Sequence, residues 1–298
     1  MKVQDYIQSR AQLPAKSIQN TIALLEADAT IPFISRYRKE STGNLDEVAV
    51  EKISQLLISF KDLEKRKNSV LKSIKEQDAL TDILAEKIEK ATTLTEVEDL
   101  YLPYKKKRKT KADTAREAGL EPLAKILMSQ NAQNIEQTAK QFLSEKVKSK
   151  AEAFTGAGHI IAEWINENPY VRNSLRRLYA RKAQIITKWV KTEEEHPEAS
   201  KFRQFEKWEE SLNKIPSHRF LAMHRAEKLG IIKLKLEVDK DEALFIIEKA
   251  IIKDLKFSGL KYIKTAIEDA FTRLLKKSFA TEFLSEAKEK ADEDAIAV

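Results

Sequence analysis

The chain has 298 residues, a formal net charge of +7, 34% charged and 42% hydrophobic residues, and no cysteine. Disulfides and thiolate metal sites are therefore excluded, and a reducing compartment fits. Six glycines and seven prolines are few for this length, so long helices are expected rather than a turn-rich sandwich or barrel.

The N-terminus, MKVQDYIQSR, has no apolar signal core. No apolar run approaches the roughly 20 residues that span a bilayer, so a cytoplasmic location is expected. Helical spacing predicts a short first helix over Val3 to Ala11. A second, with Ile18, Ile22 and Leu25 on one stripe, runs to Ala27. Thr30 is placed to cap the third, with Pro32 in its first turn. Thr42-Gly43-Asn44 reads as a turn, after which Asp46 caps a long helix to about Asp78. Its expected buried face carries Val48, Ile53, Leu56, Leu57, Phe60, Leu63, Val70, Leu71 and Ile74, the pattern of a spine on which other helices pack.

Thr81 starts another helix, to about Ala91. Thr95 and Glu98 have capping-box spacing, and Pro103 stops the helix that follows. The run 105–111 holds six Lys or Arg in seven positions and no apolar residue, so it reads as a loop. From Tyr101 to Lys125, eight basic residues face three acidic ones, which concentrates most of the chain's positive excess in one window. Asp113 is placed to cap a short helix closed by Gly119. Amphipathic stretches follow over 121–129, 134–146 and 149–167, then helix from Tyr170 to about Ala183 after the Asn168-Pro169 break. The short helices of 112–167 have the lengths of a helix-turn-helix unit, which the pattern alone does not fix; the outer bounds for such a part are 112–185.

His196-Pro197 marks an expected boundary between a first domain, 1–195, and a second helical segment, 196–298. Pro216 opens a helix to Leu229, ended by Gly230. Ile232, Leu234, Leu236 and Val238 alternate with polar residues, which is strand periodicity. A lone strand leaves backbone groups unpaired; Ile185 to Val190 is the internal candidate partner, and a partner outside this chain is the alternative. Asp241 starts a helix to Leu255. Ser258 starts a final long one with Ile263, Ile267, Phe271, Leu274, Leu275 and Phe283 on its apolar face. The expected fold is mainly α: an elongated multi-helical scaffold with at most one or two short strands.

The chemistry-bearing patterns are sparse. His159, His196, His218 and His224 show no metal-ligand spacing. Thr155-Gly156-Ala157-Gly158 lies in an apolar helical context and reads as close helix packing. No catalytic residue, metal or cofactor is assigned, and no enzyme is expected. The basic run is the best functional signal, because a polyanion relieves crowded positive charge and releases counterions. Tyr101 and Tyr104 flank it and are suited to stack on bases; a solvated loop touching other parts of the same protein is the competing reading. Arg36, Arg38 and Lys39 form a second basic group, favoured as a structural tie to Glu40 or Asp46. His218, Arg219 and Arg225 form a third, near a helix start where anions or a cap fit equally.

Three stretches together resemble the Tex family of bacterial transcription accessory proteins: IPFISRYRKESTGNLDEV (Ile31 to Val48), EDLYLPYKKKRKTKADTAREAGLEPLA (Glu98 to Ala124) and PSHRFLAMHRAEKLGII (Pro216 to Ile232). The resemblance covers essentially the whole chain. It implies an N-terminal helical scaffold with a helix-turn-helix-like part. It further implies that a degenerate RNase H-like domain, helix-hairpin-helix motifs and an S1 RNA-binding domain follow, so the chain is expected to be a fragment. Three positions depart from the family pattern: Lys106 stands where proline is expected, Ala226 where glycine is, and Gly158 where arginine is. On this basis Lys105, Lys106, Lys107, Arg108, Lys109 and Lys111 are the expected nucleic-acid contacts, with Tyr104 and, less directly, Arg36, Arg38, His218 and Arg219. The expected partners are RNA or DNA, and RNA polymerase or other transcription factors. The alternative is a protein-docking platform for the transcription machinery, without direct nucleic-acid binding in this part.

Overall fold

A computed structural model describes residues 2–105, 109–190 and 198–296. The chain divides into two units, Met1–Lys106 and Lys107–Val298. The mainly α expectation holds: sixteen α-helices lie among the described residues, with one small sheet.

The first unit contains α1 (Val3–Ala11), α2 (Ala15–Glu26), α3 (Ile31–Tyr37), α4 (Lys39–Thr42), α5 (Glu47–Lys75), α6 (Asp82–Lys90) and α7 (Leu94–Tyr101). Helix α5 is the expected spine. Its 29 residues span about 43 Å at 1.5 Å per residue, and α1, α2, α3, α6 and α7 pack on it. The Asp46 carboxylate accepts from Ala49 N at 2.8 Å and so fixes its start. Val50, Ile53, Leu57, Leu63, Val70 and Ile74 form the buried stripe. Val48 was expected on that face but is 73% exposed. It lies two residues before Val50, hence about 200° around the helix.

A charged residue interrupts the stripe. Lys67 is 3% exposed, and its Nζ donates to Glu64 Oε1 at 2.8 Å and to the Glu89 carbonyl at 2.9 Å. That carbonyl belongs to the last turn of α6, where helix carbonyls have no intrahelical partner. A buried lysine thus ties α6 to the spine. Other corrections are local. Thr30 sits at the start of α3, but its side chain makes no capping bond. The capping box predicted at Thr95 and Glu98 forms instead at Thr93 and Glu96. Glu98 is engaged by Arg66 at 2.5 Å.

The second unit begins with α8 (Lys111–Glu117), α9 (Glu121–Ser129), α10 (Ile135–Lys140), α11 (Lys150–Glu167) and α12 (Pro169–Lys182). Lys111 is therefore helical rather than in the loop. Thr110 occupies the cap position predicted for Asp113, which serves as the third member of its capping box. Helix α10 is shorter than the predicted 134–146, and a bridge between Ser144 and Val147 follows it. Apolar α11 is packed by α8, α9 and α15. A Cβ at Gly156 would come within 2.3 Å of Leu120 Cδ1, so the close-packing reading of that glycine holds.

Strand β1 (Gln184–Trp189) pairs antiparallel with β3 (Ile232–Glu237), Ile185 opposite Leu236 and Thr187 opposite Leu234. Of the two alternatives left open for 231–238, the internal candidate is the partner. A third strand, β2 (Glu209–Ser211), exceeds the predicted two; the order is β2-β1-β3. Between β1 and β2 a 3₁₀ stretch, Ala199–Phe205, lies close enough for Thr187 Oγ1 to bond the Phe205 carbonyl. The boundary predicted at His196-Pro197 falls outside the described residues.

Helix α13 (Ser217–Lys228) precedes β3; α14 (Lys240–Ile251) and α15 (Leu260–Asp269) follow it. Asp239, not Asp241, caps α14. Helix α14 stops at Ile251 rather than Leu255 because buried Gln130 takes over its end. Gln130 Nε2 donates to the Ile251 carbonyl at 2.9 Å, and its Oε1 accepts from Lys253 N at 2.7 Å and Asp254 N at 3.1 Å. Gly259, not Ser258, precedes α15. A π-helical stretch, Ala270–Leu275, carries α15 into α16 (Lys276–Ile296). Ile263, Ile267, Phe271, Leu275 and Phe283 are buried as expected, with Leu274 half-buried. Among the described residues no helix is long and apolar enough to cross a membrane.

Candidate nucleic-acid interface

Pro103 ends α7, and the chain leaves the first unit through a 3₁₀ turn, Leu102–Tyr104. That exit is pinned to the spine. Tyr101 Oη and Ser73 Oγ are 3.0 Å apart, and Gln77 Nε2 donates to the Tyr104 carbonyl at 3.0 Å. Arg66, tied to Glu98, lies 5.4 Å from the Tyr101 ring. Both tyrosines are half-buried against the first unit's core. They therefore anchor the start of the basic run.

The predicted contacts occupy unequal environments. Lys105, Lys109 and Lys111 are exposed; Lys106, Lys107 and Arg108 lie outside the described residues. Lys109 Nζ reaches Glu117 Oε2 at 2.6 Å, so part of its charge is spent within the second unit. No ion pair involves Lys105 or Lys111 among the described residues. The Thr110 capping box aims Lys111 from the first turn of α8. Hydrogen bonds from the Thr110 backbone and hydroxyl hold the Asp113 carboxyl below its usual range. Arg116 belongs to a different arrangement. It donates to Asp113 at 3.1 Å and to the nearly buried Glu163 at 2.6 Å, which ties α8 to α11.

Lys111 also rims a groove of about 380 Å³ that runs along α11 past Thr155 and His159. Lys146 lines the same groove. It was absent from the predicted set, because positions 111 and 146 meet only in the fold, where Lys146 Nζ reaches the Glu117 carbonyl at the end of α8 at 3.4 Å. A neighbouring cleft of about 620 Å³ shares Ala151, Thr155 and His159 with that groove. It contains Lys150, Glu136, Asp269 and Gly158. There His159 Nδ1 lies 3.4 Å from Asp269 Oδ2, and Arg273 clamps the same carboxylate. The Tyr262 hydroxyl and the Lys150 ammonium bring Glu136 down to a pKa of about 2.

The remaining predicted residues lie elsewhere. Arg36 and Arg38 are exposed in the first unit. The favoured tie to Glu40 or Asp46 is not made among the described residues, and the Asp46 carboxylate instead caps α5. Arg38 faces the ring of Phe33, 5.4 Å away. On α13, His218 is exposed, whereas Arg219 bonds Glu210 at 2.6 Å and lies 5.1 Å from the Trp208 ring. Arg219 thus fastens α13 to β2, and Arg225 reaches Glu198 at 3.2 Å.

Comparison with known proteins places this arrangement. The Tex central region-like family matches residues 130–298, and the Tex-like protein N-terminal domain matches residues 1–75. The chain belongs to the Tex family. It is 42% identical to the uncharacterized protein YdcI of Bacillus subtilis, over 95% of this chain and 40% of that protein. It is 37% identical to the transcriptional accessory protein Tex of Neisseria gonorrhoeae, over 96% of this chain and 39% of that protein. A human S1 RNA-binding domain-containing protein 1 is 25% identical over 93% of this chain and 29% of its own length. The chain thus spans about 40% of the length of the first two of these relatives. Two of the three Tex motifs fall on pinned geometry: Glu98 to Ala124 on the spine-anchored exit and α8, and Pro216 to Ile232 on the α13–β3 connection.

Proposed function

We propose that this chain is a non-enzymatic scaffold of a cytoplasmic transcription accessory factor, and that it contacts RNA or DNA through the basic run 105–111. The observation that carries this reading is the exposed charge of Lys105 and Lys111, which no acidic partner among the described residues neutralises. The pinned tyrosines before the run and the capped helix after it support the reading, since both hold the ends of the run in place. The names of the relatives support the process: one is a transcriptional accessory protein and another contains an S1 RNA-binding domain. Helices α8 and α9, joined at Gly119 with φ +79°, are the proposed helix-turn-helix part. Phosphate contacts carry no base code, so binding is expected to be sequence-independent and weak, with a Kd on the order of micromolar.

Fluorescence anisotropy with labelled RNA and DNA at several salt concentrations tests this. The logarithm of affinity should fall linearly with that of salt, by about 0.7–0.9 per phosphate contacted. Replacing Lys105, Lys107, Arg108 and Lys109 together by Ala should flatten that slope. A folded variant that binds with unchanged affinity and slope sinks the proposal. The Lys109–Glu117 and Arg219–Glu210 pairs engage predicted contacts within the chain itself, and so favour a second reading, a protein-docking platform without direct nucleic-acid binding in this part. On that reading RNA polymerase or another transcription factor is retained after nuclease treatment, and the chain binds neither RNA nor DNA even at low salt.

A further inference from the structure

Helix α3 presents an unusual surface for a seven-residue helix. Ile34 and Ser35 are buried against the rest of the first unit. Phe33 and Tyr37, one turn apart, are 40% and 70% exposed. Their ring centroids lie 5.5 Å apart at 41°, so the two rings form one continuous aromatic surface. Arg36, Arg38 and Lys39, its neighbours in the chain, are exposed, and none makes an ion pair among the described residues. The Arg38 guanidinium covers the Phe33 ring at 5.4 Å, which leaves Tyr37 as the more open platform.

Large exposed rings lose hydrophobic stabilisation unless something covers them. The Arg38 guanidinium on the Phe33 ring, with Arg36 and Lys39 exposed close by in the chain, selects a polyanion as the cover over an apolar protein face. Phosphates satisfy the cations, while unpaired bases have π-faces for the rings; paired bases in a duplex have theirs buried in the stack.

We infer that α3 is a second nucleic-acid contact, specific for single strands: Tyr37, flanked by Phe33, stacks on a base while Arg36, Arg38 and Lys39 hold the adjoining phosphates. This inference rests on the reading of the chain as nucleic-acid binding, and it adds to the basic run a contact of different chemistry. The run neutralises phosphates of any strand, whereas α3 requires an unstacked base. The surface is held by its neighbours: Asn20 Nδ2 donates to the Ser41 carbonyl at 2.6 Å, and Gly43 with φ +71° closes α4 directly behind α3.

The test uses the whole 298-residue chain with labelled single-stranded and duplex oligonucleotides of equal length. Phe33→Ala with Tyr37→Ala should weaken single-strand binding about 5- to 150-fold, the range for loss of one base stack. Duplex binding and the salt slope should stay as in the parent, because no phosphate contact is removed. Tyr37→Phe should retain single-strand affinity, since the ring persists. Ultraviolet crosslinking of a 5-bromouridine oligonucleotide, mapped by mass spectrometry, should mark Tyr37. Equal affinity of the double variant for single strands, with circular dichroism unchanged, overturns the inference. Equal losses for single strands and duplex overturn it as well. If the four-Ala loop variant loses binding while the aromatic variant does not, the α3 site fails and the basic-run reading stands. If the parent binds neither nucleic acid at low salt, both fail, and the aromatic surface is left to a protein partner.

Discussion

Tyr179 lies against Phe279 and Phe283, ring centroids 5.1 and 5.7 Å apart, with 1% exposure. Its hydroxyl has no hydrogen-bond partner among the described residues, and burial pushes its pKa up. A buried, unpaired polar group costs about 1–3 kcal/mol. The ring contributes its area and stacking; the oxygen contributes nothing to offset its desolvation. Tyr179→Phe is therefore expected to raise stability by about 1 kcal/mol, measured as an increased urea midpoint at unchanged m. Tyr179→Ala removes the ring as well and should cost about 3–5 kcal/mol. A phenylalanine variant less stable than the parent would mean that the hydroxyl is satisfied in solution.

At the scale of elements, Glu136 joins three helices. It sits on α10 and receives Lys150 of α11 at 2.9 Å and Lys261 of α15 at 3.4 Å, and the Tyr262 hydroxyl of α15 also donates to it. The Tyr262 hydroxyl and then Lys150 hold its pKa near 2, below the ordinary carboxylate value. A carboxylate depressed by folding adds stability that is full above its unfolded pKa, about 4.3. That stability is lost as pH falls towards the folded value. Glu136→Gln should accordingly lower the urea midpoint at pH 6 to 7, and the gap to the parent should close between about pH 4.5 and 2. A gap that persists at pH 2 would mean that Glu136 acts through packing rather than charge.

Such junctions also mark where sequence periodicity stops being informative. Most helices, and the β1–β3 pairing, were legible because apolar spacing and breakers report local geometry. Helix ends were less legible. Thr93 and Thr95 both have a glutamate three residues on, and only the Arg66–Glu98 pair across the unit leaves Glu96 to close the box. The end of α14 is set by Gln130, more than 120 residues earlier in the chain. Strand β2 has three residues, too few for alternation to show. Lys67 in the buried stripe reads as a surface residue until α6 is placed beside it. Within the candidate interface, the basic run was visible as composition. Which of its lysines stay unpaired was not, since Glu117 and Lys146 meet the run or its groove only in the folded second unit.

For the molecule as a whole, the informative feature is that each unit has a core of its own. One cluster draws its buried residues from Tyr6 to Val97, the other from Ala112 to Ala291. The buried residues of each cluster come from its own unit. All three tryptophans, Trp164, Trp189 and Trp208, belong to the second unit, whereas helices of both units contribute to the far-ultraviolet dichroism. Tryptophan fluorescence therefore reports one core and dichroism reports both. The two probes should give non-coincident urea transitions, the signature of more than one cooperative step. Ile53→Ala, at a fully buried spine position, should cost about 2–5 kcal/mol within the first unit. It should shift the dichroism curve and leave the tryptophan midpoint in place. A tryptophan midpoint that moves with Ile53→Ala would mean that the two cores unfold as one.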